Sequence, residues 1–190
     1  MQNFLTEKFR ELLESDFVTS ETRRVLQKRL NVEEMPPRFF DEREFEILKA
    51  VCDALAPSQA VPGWFAAGEI DRRLAENSGG NGWRYDSMPT DGETYKTGLQ
   101  LLNESAQDNF QNDFARLEIE RRKSILKRCS FGSDEQTAKS NFAPALFLEE
   151  LCAEFAEIFY SHPLALEEIG YIGFADKYGC LLYTSPSPRD

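Results

Sequence analysis

Apolar residues recur three and four positions apart along most of this chain, the spacing of one helical face. Phe4, Leu5, Phe9, Leu12 and Leu13 predict a first amphipathic helix. Val25, Leu26 and Leu30, interleaved with basic residues, predict a second, capped by Thr19 or Ser20. Pro36-Pro37 then ends helical structure and stiffens the link, so residues 1–37 read as an N-terminal helical arm. The next helix has the strongest start signal. Asp41 and Glu44 form a D-x-x-E capping box, flanked by Phe40 and Phe45 at the positions of a hydrophobic staple. Its stripe of Phe45, Leu48, Cys52 and Leu55, widened by Ile47, Val51 and Ala54, predicts a helix central to the core and closed by Pro57. Trp64 to Glu76 reads as a further helix through Ala67, Ile70 and Leu74.

Gly80 to Asn103 begins as irregular backbone, freed to turn by Gly79, Gly80 and Gly82, and ends as helix. Trp83, Arg84 and Tyr85 set two aromatics around a guanidinium. They read either as core plugs or as anchors of a partner surface, since these residue types dominate interfaces. Thr90 and Glu93 have the spacing of a second capping box, after which Tyr95, Leu99, Leu102 and Ala106 mark a helix. The chain is then polar until Phe114 and Leu117. A basic helix from about Glu118 to Cys129 follows, its Arg121-Arg122-Lys123 run expected to pair with carboxylates on a solvated face. Ser130 to Ser140 reads as loop. Pro144 suits the first turn of the most apolar helix, in which Phe147, Leu148, Leu151, Cys152, Phe155, Ile158 and Phe159 fill two faces expected to pack on the helix that begins at Asp41. His162-Pro163 ends it, leaving a short helix or turn and aromatic backbone to Tyr178, where only Tyr171-Ile172 hints at strand. The prediction is all-α: one irregular helical bundle over 38–179, with the arm before it.

Composition narrows the function. The 190 residues carry a formal charge of −11 with 22 basic and 33 acidic side chains, so nucleic acid and anionic membrane surfaces are poor partners. No apolar run is long enough to insert in a membrane. Cys52, Cys129, Cys152 and Cys180 are far apart, and the first three fall in apolar helical stretches where a thiol behaves as a small hydrophobe. A reducing compartment follows. The N-terminus lacks a basic region followed by an apolar one, so it does not read as a secretory signal, and the expected location is cytoplasmic.

Chemistry is sparse. His162 is the only imidazole, placed by the pattern at a helix C-terminus where a protonated ring would favour the dipole. No phosphate-binding glycine motif or nucleophile elbow occurs. Glu150 and Glu154 lie four apart but lack the second-helix histidine of a di-iron bundle. No metal, cofactor or catalytic set is therefore predicted in this chain.

Four stretches carry a family resemblance: FFDEREFEILKAVCDALAP (Phe39 to Pro57), GWRYDSMPTDGETYKTGLQLLN (Gly82 to Asn103), DFARL (Asp113 to Leu117) and IFYSHPLALEEIGYIG (Ile158 to Gly173). In that order the chain resembles the gluconate 2-dehydrogenase subunit 3 family. The resemblance implies a small helical accessory subunit without a cofactor of its own. It would bind a large FAD-dependent oxidoreductase of the glucose-methanol-choline (GMC) type and serve its maturation, stability or export. The FAD and the catalysis would belong to that sugar-, polyol- or gluconate-oxidising partner. Candidate contact residues are then Trp83, Arg84, Tyr85, Tyr95, His162 and Tyr171. Two departures stand out. Exported relatives carry a twin-arginine signal on this subunit where this chain starts with helices, so the resemblance implies a cytoplasmic form, or a periplasmic one carried by an exported partner. Relatives also tend to have tryptophan where Cys180 follows Gly179. Residues 180–190, CLLYTSPSPRD, look like translated adapter sequence and are expected to be non-native. The competing readings are a free-standing enzyme using His162 and nearby carboxylates, and a helical interaction module unrelated to redox work.

Overall fold

Asp41 closes its capping box as the sequence requires. Its carboxylate accepts from the Glu44 amide at 2.7 Å, and Glu44 Oε2 accepts from the Asp41 amide at 3.0 Å. From there α3 runs Glu42–Leu55 with Phe40 and Phe45 both buried. In the computed structural model, which describes residues 5–76, 88–130, 142–171 and 173–174, the fold is all-α and the described residues contain no strand. The other helices are α1 (Glu7–Glu14), α2 (Ser20–Leu30), α4 (Gly63–Glu76), α5 (Asp91–Phe110), α6 (Ile119–Ser130), α7 (Pro144–Phe159) and α8 (Pro163–Glu168), with a 3-10 turn at Phe114–Arg116. They fall into two compact units, Glu34–Phe159 and the paired ends Met1–Glu33 and Tyr160–Asp190.

In the Glu34–Phe159 unit, α3 touches α4, α5, α6, α7 and the 3-10 turn, so the most apolar girth does sit at the centre. The α7 helix differs from expectation. It packs mainly on α6 and α4 and only marginally on α3. Cys152 consequently faces solvent, whereas Cys52 and Cys129 are buried as expected. Two helices meet α3 and α7 through glycines. A Cβ on Gly63 would overlap the Asp53 carboxylate, which accepts from the Gly63 amide at 2.9 Å, and one on Gly98 would overlap the Phe147 ring.

Asp71 of α4, only 3% exposed, organises the approach to α3. Its oxygens accept from the amides of Arg38 at 2.7 Å and of Phe39 and Phe40 at 3.0 Å each. Those amides lie outside any helix, and burying them without acceptors would be costly.

Three local readings are corrected. Thr90 is the N-cap of α5, but its hydroxyl donates to Glu93 Oε2 at 2.9 Å instead of accepting from a helix amide, so the second box does not close. The helix also continues past Ala106 to Phe110 because Gln107, Asp108 and Asn109 form its solvated face. Gln111 ends it in the left-handed region at φ 53°. In the basic run, among the described residues, Lys123 alone meets a carboxylate, Glu120 at 3.6 Å. Arg122 donates to the Ala115 carbonyl at 2.7 Å, and Arg121 lies over the Phe110 ring.

The second unit joins α1, α2 and α8. Phe9, Leu13, Val18, Leu26 and Phe174 make its core, with Leu5, Leu12 and Leu166 packed around them. Thr6 and Thr19 cap α1 and α2. Arg23 donates to the carbonyls of Leu13, Ser15 and Val18 at 2.8 to 3.2 Å, satisfying the irregular backbone between the two helices. Glu167 of α8 accepts from both the amide and the hydroxyl of Thr6.

Candidate partner-binding surface

The sequence LEEIGY at the end of α8 fixes the local geometry of one exposed apolar surface. Ile169 caps the helix and Gly170 follows in the left-handed conformation at φ 66°. The Tyr171 amide then donates to the Leu166 carbonyl and the Gly170 amide to Glu167, each at 2.9 Å. That pair of bonds is a Schellman motif, which needs glycine at the left-handed position and brings Leu166 and Tyr171 to one side. Tyr171 meets the Phe174 ring edge-on with centroids 5.1 Å apart, and its hydroxyl donates to the Gly173 carbonyl at 3.3 Å.

Facing this segment, α2 supplies Val25, Leu26 and Arg29, and the two sides enclose a mainly apolar groove of about 560 Å³. Among the described residues five large hydrophobics are conspicuously exposed. Three of them, Tyr160 (39%), Ile169 (56%) and Tyr171 (43%), line this groove. Convergence of exposed aromatic and aliphatic side chains in one concavity is the mark of an interaction site, whereas scattered ones mean little.

The other sequence candidates are placed differently. His162 is buried and is the N-cap of α8, not a C-terminal cation. Its Nδ1 accepts from the Leu164 amide at 3.2 Å, which requires an unprotonated nitrogen there. Burial lowers its pKa to about 4, opposed in part by a hydrogen bond to the Arg29 backbone and reinforced by the Arg29 charge. Tyr95 is also interior, at 2% exposure, with its hydroxyl donating to Glu154 Oε2 at 2.5 Å. Burial raises the Tyr95 pKa far above the usual phenol range. Arg73 pairs with the other oxygen of Glu154, so this carboxylate of α7 is committed to α4 and α5. Trp83, Arg84 and Tyr85 lie outside the described residues, as do Ile172 and residues 180–190.

A polar pocket of about 360 Å³ in the Glu34–Phe159 unit is lined by Lys49, Asp53, Trp64 and Arg122 among others. Most of its charges have partners: Lys49 pairs with Glu34 at 2.8 Å and Glu46 at 2.5 Å, and Asp53 holds the Gly63 amide, while Arg122 reaches the Ala115 carbonyl and leaves its buried Nε without a hydrogen-bond partner. Among the described residues no group of three or more His, Cys, Asp or Glu is placed to hold a metal ion, and no helix is long and apolar enough to cross a membrane.

Sequence reasoning missed Arg29, Ile169 and Asp71. The Leu-x-x-x-Gly-Tyr spacing was a usable signal for the Schellman turn that presents Ile169, but nothing local distinguishes Arg29 from the other cations of α2. No curated protein and no solved structure shows a significant match to the chain. The family model described as gluconate 2-dehydrogenase subunit 3 matches residues 42–176, a span that begins at the first residue of α3 and runs beyond the groove residues Ile169, Tyr171 and Phe174. The chain therefore belongs to the gluconate 2-dehydrogenase subunit 3 family.

Proposed function

We propose that this chain is a non-catalytic subunit that binds a large FAD-dependent oxidoreductase of the GMC type and supports its maturation or stability. The observation that carries this reading is the family match over 42–176, most of the chain. The exposed Tyr160, Ile169 and Tyr171 supply the contact surface that a subunit needs. The flavin and the acid–base chemistry belong to the partner. His162, spent on the Leu164 amide and held neutral by burial, is a structural cap in this reading and not a catalytic base.

The test is co-expression of the tagged chain with the large FAD-dependent oxidoreductase subunit encoded in the same genome. The expected result is stoichiometric co-elution with flavin absorbance, and a lower yield of flavin-loaded oxidoreductase when the chain is omitted. The purified chain alone should be colourless. Separate elution, together with equal yield and activity of the oxidoreductase in the absence of the chain, would overturn the proposal.

A further inference from the structure

Resting on that subunit reading, we infer that the α2–α8 groove receives a segment of the flavoprotein that presents a carboxylate among apolar side chains, with Arg29 taking the carboxylate. Among the described residues Arg29 is the one charge of this groove without a countercharge. Its Nη1 donates to the Ser161 carbonyl at 3.0 Å, and no described carboxylate pairs with it. Among the described lining residues the one acidic side chain, Glu21, is already bound to Arg24 at 2.5 Å and is well exposed. A guanidinium cannot discharge itself by losing its proton, and it offers a planar fork of donors that fits a carboxylate. The Ser161 bond orients that fork beside Leu166, Tyr171 and Phe174, so little side-chain freedom remains to be lost on binding.

Charge favours the same occupant. The chain as a whole has net charge −11, yet α2 carries Arg23, Arg24, Lys28 and Arg29 against Glu21 alone. Of these cations Arg29 is the one that lines the groove, so α2 is a basic helix on an acidic protein whose positive charge meets the groove at Arg29 and there favours a carboxylate-bearing segment. A second copy of this chain would bring its own excess of negative charge, but also the same unpaired Arg29 against Arg29.

Two variants of the full chain, one at the exposed Ile169 and one at the half-buried Arg29, test this against the purified flavoprotein subunit. Ile169→Asp places a carboxylate on the apolar wall, and Arg29→Glu reverses the charge. Each should weaken binding by roughly thirtyfold or more, the scale of an interface hot spot. Met35→Asp, at a 70% exposed residue of the other unit, should change it by less than about twofold. Circular dichroism and melting accompany each variant. If Arg29→Glu melts early, Ile169→Asp and Arg29→Gln decide the result. A photo-crosslinking residue in place of Tyr171 should join a flavoprotein peptide in which Asp or Glu sits among apolar residues. Wild-type binding with unaffected groove variants would overturn the groove assignment while leaving the subunit reading standing. Failure of the wild-type chain to bind the flavoprotein at all would overturn the groove assignment, and joined by an oxidoreductase whose yield and activity do not need the chain it would remove the subunit reading too. Crosslinks confined to a second copy would overturn the groove assignment. So would a fatty acid found by native mass spectrometry on the isolated chain and lost in Arg29→Glu.

Discussion

The Tyr95 hydroxyl donates to Glu154 Oε2 at 2.5 Å across the interior of the Glu34–Phe159 unit, tying α5 to α7. Glu154 is 7% exposed, so its charge is tolerable only because Arg73 and Tyr95 each hold one oxygen. The Tyr95 ring lies between Phe40 and Phe147, with centroids 6.3 and 5.7 Å away.

Tyr95→Phe keeps those ring contacts and removes one donor from Glu154. We expect a loss of about 1–3 kcal/mol in urea unfolding, the cost of a buried acceptor left unsatisfied. Combined with Glu154→Met, the loss should be clearly less than the sum of the single effects, because the second change removes the orphaned oxygen. Additive effects would show that the two residues do not share this interaction.

Asp71→Ala removes the acceptor of three amides at once, those of Arg38, Phe39 and Phe40. Destabilisation of more than about 2 kcal/mol is expected. Asp71→Asn should be milder, since its single carbonyl oxygen can still receive Phe39 and Phe40. Hydrogen exchange at residues 38–40 checks the mechanism: protection there should fall further than in α5. Uniform loss of protection would argue for general unfolding instead.

Gly98→Ala tests the α5–α7 approach, where an added methyl meets the Phe147 ring. Overpacking of this kind costs about 1–3 kcal/mol. Phe147→Leu introduced with it should recover part of that loss, although alone it is destabilising. A Gly98→Ala protein that melts at the wild-type temperature would contradict the packing described here.

His162 makes stability depend on pH in a defined direction. Its folded pKa, lowered to about 4, lies below the ordinary 6.5, so the unfolded chain binds the proton first. The contribution is complete above 6.5 and is lost as pH falls toward 4. His162→Asn keeps a side-chain acceptor for the Leu164 amide but cannot titrate. Its thermal midpoint should decline less steeply than the wild type's between those two pH values. Equal slopes would assign the acid sensitivity to other groups.

Helix positions were legible because their signals are local. The D-x-x-E box at Asp41, the proline at Pro144 and the apolar stripes of α3 and α7 depend on residues within two turns of one another. The Thr90 box misled for the same reason: spacing identifies residues able to cap, and the rotamer that sends the Thr90 hydroxyl to Glu93 is not encoded in spacing. His162 misled because a histidine before proline fits either the end of one helix or the start of the next, and the choice rests on the ring's burial.

By itself, then, the sequence determined that the protein is helical, where most helices begin, and which family its ordered motifs resemble. Tertiary structure alone decided which faces those helices share. The chain's two ends form one unit because Phe9, Leu13 and Leu26 bury their apolar area against Phe174, a partner 148 to 165 residues away that no periodicity can name. It also decided the roles of Asp71, Glu154 and Arg29. Each is an ordinary charged residue in sequence, and it becomes an amide acceptor, a buried pair or a cation held by a backbone carbonyl according to the groups that distant segments bring to it.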